Sequence, residues 1–135
     1  MWYLYAMTLD SNGIIKAGIS ERPTERKGEV GRKYGNGSSK DASIVFCLPL
    51  GTSTDRSKAE SIEKAFMETL AKSLKRLDPL AQGPASERFI ADDSIESVEF
   101  SYKIRKPMTV TVTLNKALPE WNKDGRANNG RKAQR

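Results

Sequence analysis

Two short apolar segments separated by an Asn-Gly turn, and followed at once by a helix that opens on proline, limit what the first third of this chain can become. Trp2-Tyr3-Leu4-Tyr5-Ala6-Met7 and Ile14-Ile15-Lys16-Ala17-Gly18-Ile19-Ser20 are rich in aromatic and branched residues, and the linker Asp10-Ser11-Asn12-Gly13 ends in the pair that takes positive φ at least cost. They therefore read as an antiparallel hairpin. Side chains alternate along each strand, so Tyr3 and Tyr5 share a face, Lys16 and Gly18 share a face, and a tight turn sets Tyr5 beside Lys16. Pro23 suits a first helical position and Glu25 the first turn, but Gly28 and Gly31 each cost about 1 kcal/mol in a helix interior, which predicts a short helix that frays before Tyr34. Gly35-Asn36-Gly37-Ser38-Ser39 follows as a loop.

Further on, residues 43–48 form a continuous apolar run closed by Pro49, the pattern of a strand in the middle of a sheet. Ser57-Lys58-Ala59-Glu60 has the spacing of a capping box, and Ile62, Phe66, Leu70, Leu74 and Leu77 recur every three or four residues, which predicts one long amphipathic helix covering a sheet face. Asp78-Pro79 ends it, and residues 82–86 form a loop leading into Glu87-Arg88-Phe89-Ile90. Val98, Phe100, Tyr102 and Ile104, then Val110, Val112 and Leu114, alternate with period two around Arg105-Lys106-Pro107, the pattern of a second hairpin that extends or caps the core.

The expected fold class is thus α+β: a small antiparallel or mixed sheet of about three central strands flanked by helices, with an extra C-terminal hairpin. At 135 residues the chain suits one domain, placed at 1–115 with 90–115 as the hairpin extension. Residues 116–135 carry six basic side chains against two acidic ones among Gly and Asn, and read as a basic, disordered tail. The net charge of +6 and a pI near 9.5 make polyanions such as DNA suitable partners, although such a charge also serves as solubilising surface.

Absent residues exclude as much as present ones suggest. With no histidine, every Ser-His-Asp or Cys-His triad and every imidazole metal site falls away. The single cysteine, Cys47, lies in an apolar run and reads as an inert buried thiol. No cationic leader and no apolar run of membrane-spanning length is present, so a cytoplasmic protein with no membrane partner is expected.

The order of these segments resembles the GIY-YIG nuclease superfamily over roughly residues 2–90. Tyr3-Leu4-Tyr5 stands at the first motif, with Tyr5 as its tyrosine, and Lys16-Ala17-Gly18 at the second. Residues 20–26 look like the stretch running into the first helix, with Arg26 as its arginine. Ile62-Glu63-Lys64-Ala65-Phe66 is similar to the helix that supplies the metal-binding glutamate. Ser86-Glu87-Arg88-Phe89 resembles the closing segment of a short, often phage-encoded branch, which also tends to carry lysine in the second motif. The chain departs from the pattern in having no glycine in the first motif, Lys16 for the second tyrosine, Val30 where some members have histidine or tyrosine, and Glu87 where many have asparagine.

The resemblance implies an endonuclease hydrolysing phosphodiester bonds in DNA with one divalent ion, Mg2+ or Mn2+, held by Glu63. Tyr5 would act on the attacking water, Arg26 would stabilise phosphoryl charge, and Lys16 and Tyr3 would complete the catalytic set, with Arg22, Lys27, Arg32 and Lys33 gripping nucleic acid. Arginine's fork and a hard carboxylate suit those tasks. Two other functions stay open: a catalytically inactive nucleic-acid-binding protein on the same scaffold, and a small phage protein that inhibits a host protein through its C-terminal hairpin. Each residue also has a plain role: Tyr3 and Tyr5 in packing, Arg26 among solvated cations, Glu63 paired with Lys58 or Lys64.

Overall fold

A computed structural model describes residues 1–9, 13–78, 80 and 87–122 of the chain. The expected turn residues 10–12 and the loop at 82–86 lie outside the described residues, as do residues 123–135 of the expected tail. Strands β1 (Tyr3–Leu9) and β2 (Ile14–Ser20) form the predicted hairpin, with Gly13 at φ 65° and a register that sets Tyr5 opposite Gly18 and Met7 opposite Lys16. Helix α1 (Pro23–Tyr34), a 3-10 turn (Ser39–Asp41) and β3 (Ala42–Pro49) follow. Helix α2 (Arg56–Ser73), β4 (Arg88–Ile90), β5 (Ser97–Lys103), β6 (Pro107–Thr113) and α3 (Pro119–Asn122) complete the order.

The fold is α+β, and its main sheet is antiparallel throughout rather than mixed, in the order β3-β1-β2-β4. Alternation along β1 divides the core. Leu4 and Ala6 face α2 and the second hairpin, meeting Ile62, Phe66, Leu70, Phe100 and Val112, whereas Tyr5, Met7 and Leu9 face Val30 of α1 and the α3 segment. The second hairpin does not extend the main sheet. It is a separate two-stranded sheet whose inward side chains Val98, Phe100 and Tyr102 alternate with exposed ones, and Phe100 packs at a tilt against Phe66 with ring centroids 5.1 Å apart.

Several expectations are corrected. The N-cap of α2 is Asp55, whose carboxylate accepts from the Lys58 N–H at 2.9 Å, so the helix starts before Ser57; it ends at Ser73, leaving Leu74 and Leu77 beyond it. Helix α1 runs through Gly28 and Gly31 to Tyr34, because Gly31 is a contact residue: a Cβ there would lie 2.5 Å from the Ser38 carbonyl oxygen of the returning loop. Close packing of helix on loop offsets the intrinsic cost of glycine.

Strand β3 lies at a sheet edge, not in the middle, despite its apolar run. Its hydrophobicity comes from being covered on both faces, and its open side is closed by the chain's later residues. Leu118 N–H donates to the Ile44 carbonyl at 2.9 Å, Asn122 Nδ2 donates to the same carbonyl at 3.0 Å, and the Ile44 N–H donates to Asn122 Oδ1 at 2.7 Å. One side-chain amide thereby imitates a neighbouring strand. Residues 116–122 are accordingly not disordered tail: α3 caps the sheet and Trp121 packs edge-on against Tyr3 at 5.3 Å. Asn122→Ala is expected to cost about 1–2 kcal/mol and to raise the exchange rate of the Ile44 amide, checked by urea denaturation and hydrogen exchange; unchanged Ile44 protection would refute the edge-capping role.

Candidate functional site

Tyr5 sits in the centre of β1, 1% exposed, and its phenol crosses β2 at Gly18. A Cβ at position 18 would lie 2.7 Å from the Tyr5 hydroxyl and 3.0 Å from its ring carbon, so glycine is the residue that lets the phenol pass. Two residues earlier on β2, Lys16 is fully buried with its ammonium 5.9 Å from the Tyr5 ring centroid. That ammonium donates to Glu87 Oε1 at 2.6 Å and to the Ala17 carbonyl at 3.0 Å.

Pro23 starts α1 just after β2 ends, which brings Arg26, in the first turn, over the same face. Its guanidinium donates to the Tyr5 hydroxyl and, at 3.0 Å, to Glu29 Oε1. From the other side of the sheet α2 presents Glu63 around the β2 edge. β4 pairs only with Ile14, Ile15 and Lys16, so the following part of β2 is open there, and the Ile19 N–H donates to the Glu63 carboxylate. Glu63 also hydrogen-bonds the Glu87 carboxyl. Five polar side chains from β1, β2, α1, α2 and the residue before β4 thus meet at one end of the sheet.

Their electrostatics follow from burial and neighbours. Burial pushes the Tyr5 phenol up to about 12, outweighing the opposing influence of Arg26, so the group is protonated at neutral pH. Burial lowers Lys16, and the Glu87 carboxylate opposes that fall. Arg26 loses solvation yet is held above its ordinary value by its hydrogen bonds to Tyr5 and Glu29. Burial first, then the nearby Glu87 charge and hydrogen bond, push Glu63 up to about 7, against the pull of Lys16 and the Ile19 N–H.

Of the expected catalytic set, Tyr5, Lys16 and Arg26 come together with Glu63, and Tyr3 does not. One pleat repeat away along β1, its ring is taken by Trp121. The cations expected to grip nucleic acid also separate. Arg22 is exposed and pairs with Glu25 at 3.5 Å; Lys27 is a tether, donating to the Ser39 carbonyl at 3.1 Å; Arg32 and Lys33 are exposed in the last turn of α1. Cys47 is half-buried and outside the site, its thiol pushed up to about 12 by burial and by Glu120, which keeps it protonated.

Glu87 is the residue that sequence reasoning missed. The usable signal was charge balance: a lysine flanked by Ile15 and Ala17 in an inward-facing strand needs a counter-ion. Among the described residues no group of three or more His, Cys, Asp or Glu side chains forms a metal cage, and no helix is long and apolar enough to cross a membrane. Comparison with protein-family models, curated proteins and solved structures finds no match to this chain.

Two predictions follow from this packing. Gly18→Ala is expected to destabilise the protein by about 1–3 kcal/mol, and less in a Tyr5→Phe background, where the nearest clashing atom is gone; the double-mutant cycle from urea midpoints measures the coupling. Glu63 is protonated more readily in the folded state than in the unfolded chain, so the stability it confers is present below about 4.5 and is lost as pH rises through about 7. Glu63→Gln should therefore be more stable than the parent at about pH 8 and lose that advantage near pH 4, read from thermal midpoints across pH.

Proposed function

We propose that this protein is a divalent-metal-dependent endonuclease acting on phosphodiester bonds in DNA, with Tyr5, Lys16, Arg26 and Glu63 at its centre. The observation that carries the reading is the meeting of a protonated phenol, two cations and a carboxyl of raised pKa at one sheet end, on elements remote in sequence. Such a set suits an anionic substrate at which negative charge develops.

The donor set fits a hard cation. Two neighbouring carboxyl groups, one of them protonated up to about 7 by burial and by its neighbour's charge, are relieved by a divalent ion, and Mg2+ or Mn2+ takes one or two carboxylates with water in its remaining positions. Glu63 would hold it, with Glu87 beside it, and the ion would supply charge neutralisation at the leaving oxygen.

The chain's own groups have roles set by their protonation. Arg26 presents its fork to phosphoryl oxygens while donating to Tyr5. Because the Tyr5 oxygen accepts from Arg26, its hydroxyl hydrogen is directed elsewhere, to a water or a phosphoryl oxygen. At about 12 the phenol orients the nucleophile rather than removing its proton as a phenolate. Lys16, fixed by Glu87, adds a stationary positive charge behind the ring. The same two facts, a phenol that keeps its proton and a lysine locked in an ion pair, favour as second reading a nucleic-acid-binding protein without hydrolysis.

Plasmid nicking in Mg2+ or Mn2+ is the deciding measurement. Arg26→Ala and Glu63→Gln are expected to reduce cleavage by a factor on the order of 100 or more while the fold is kept. Full cleavage by both variants would remove the catalytic assignment, and salt-dependent binding with no turnover by the parent protein would select the second reading.

A further inference from the structure

The two ends of α1 differ sharply in charge. At its start Arg22 and Arg26 are matched by Glu25 and Glu29 at 3.5 and 3.0 Å, and Glu21 lies alongside in the same shallow cleft with Trp2. The C-terminal end brings Arg32, Lys33 and Lys40, and the one carboxylate beside them in the chain, Asp41, is engaged by the Asn36 and Ser38 N–H groups at 2.6 and 3.0 Å. Tyr34, the last residue of α1, organises this end: the Lys33 ammonium lies 5.3 Å and the Arg88 guanidinium 4.6 Å from its ring centroid. Both distances are within cation–π range, so the ring fixes two positive charges in place.

This group is joined to the site rather than separate from it. Arg88 is the cross-strand partner of Lys16, directly opposite it on β4, and follows Glu87 in the chain. Directly opposite residues of an antiparallel pair share a face. Arg88 therefore continues the α1 side of the sheet outward from Lys16, toward Tyr34 and Lys33.

We propose that a nucleic-acid backbone leaves the site over the C-terminal end of α1, with Lys33 and Arg88, held by the Tyr34 ring, each facing a phosphate that flanks the scissile one. Beyond Arg26, which faces the scissile phosphate, the start of α1 carries Glu21 and Glu25, and their carboxylates repel that backbone; Arg22, paired with Glu25, takes no part in binding. Cations preorganised on an aromatic ring lose little side-chain freedom on meeting a phosphate, which suits them to the task better than the exposed, Glu25-paired Arg22. This path rests on the nucleic-acid reading of the site, but not on hydrolysis.

The test is equilibrium binding of a fluorescently labelled duplex oligonucleotide, in EDTA so that cleavage plays no part, as a function of NaCl concentration. Lys33→Gln and Arg88→Gln are each expected to lower the slope of log K against log salt by about 0.9, the value for one lost phosphate contact on duplex DNA, whereas Arg22→Gln leaves it unchanged. Lys33 is exposed on a helix end, so its variant keeps the fold even where Arg88→Gln weakens β4. A slope unaltered by Lys33→Gln, a loss in Arg22→Gln equal to that in Lys33→Gln, or no binding by the parent protein at low salt would each overturn the path. Binding with the expected slopes but no nicking in Mg2+ or Mn2+ supports the path and removes only the nuclease reading.

Discussion

An ammonium with no exposure to water needs a fixed counter-charge, and much of this molecule is arranged around supplying one to Lys16. Glu87, at 2.6 Å, is that charge. An isolated buried lysine would deprotonate or destabilise the sheet, and the pair avoids this only while geometry stays close, because solvent cannot substitute for the partner. Glu87 is delivered by β4, a strand of three residues, which is itself held on its far side by the Lys75–Leu77 region: Leu77 N–H donates to the Arg88 carbonyl at 2.9 Å and Ile90 N–H to the Lys75 carbonyl at 2.8 Å. A short strand that could not persist alone is thus clamped between β2 and the segment after α2.

Glu63 is raised first by its own burial, and the position of Glu87 adds to that rise. Partial burial already disfavours its charged form, and the ion-paired Glu87 carboxylate beside it opposes that charge further. The chain tolerates this because Lys16 and the Ile19 N–H draw the opposite way. The ion pair therefore supports the sheet edge and, together with burial, bears on the proton affinity of Glu63.

How much of this was legible in the sequence depends on the range of the forces involved. The hairpin, the start of α1, the amphipathic α2 and the second hairpin all follow from local signals, whereas the register that sets Tyr5 opposite Gly18 and Lys16 opposite Met7 was not read from them. What was not legible depends on contacts between distant segments. The continuous hydrophobicity of β3 signals two covered faces, but says nothing of whether its hydrogen-bonding edge meets a strand or the amide of Asn122. The glycines of α1 look like breakers until the returning loop is seen to touch Gly31. Tyr3 and Tyr5 have the same chemistry and spacing as site residues, and only Trp121, near the far end of the described chain, separates their roles.

The same reasoning explains why Glu87, noted only as a departure from a motif, was given no role while Glu63 was. Glu63 stands in a regular helix whose apolar rhythm fixes its direction, so its placement near the buried boundary can be read by counting residues. Glu87 follows an irregular stretch, where no periodicity indicates which way a side chain points, and its importance derives wholly from Lys16, seventy-one positions away in sequence. Counter-charge arguments can cross such distances. A lysine placed at an inward position of a central strand implies an acid brought to it by some other element. Buried charge in a predicted strand is therefore a long-range constraint in the sequence, of a kind that hydrophobic pattern alone does not provide.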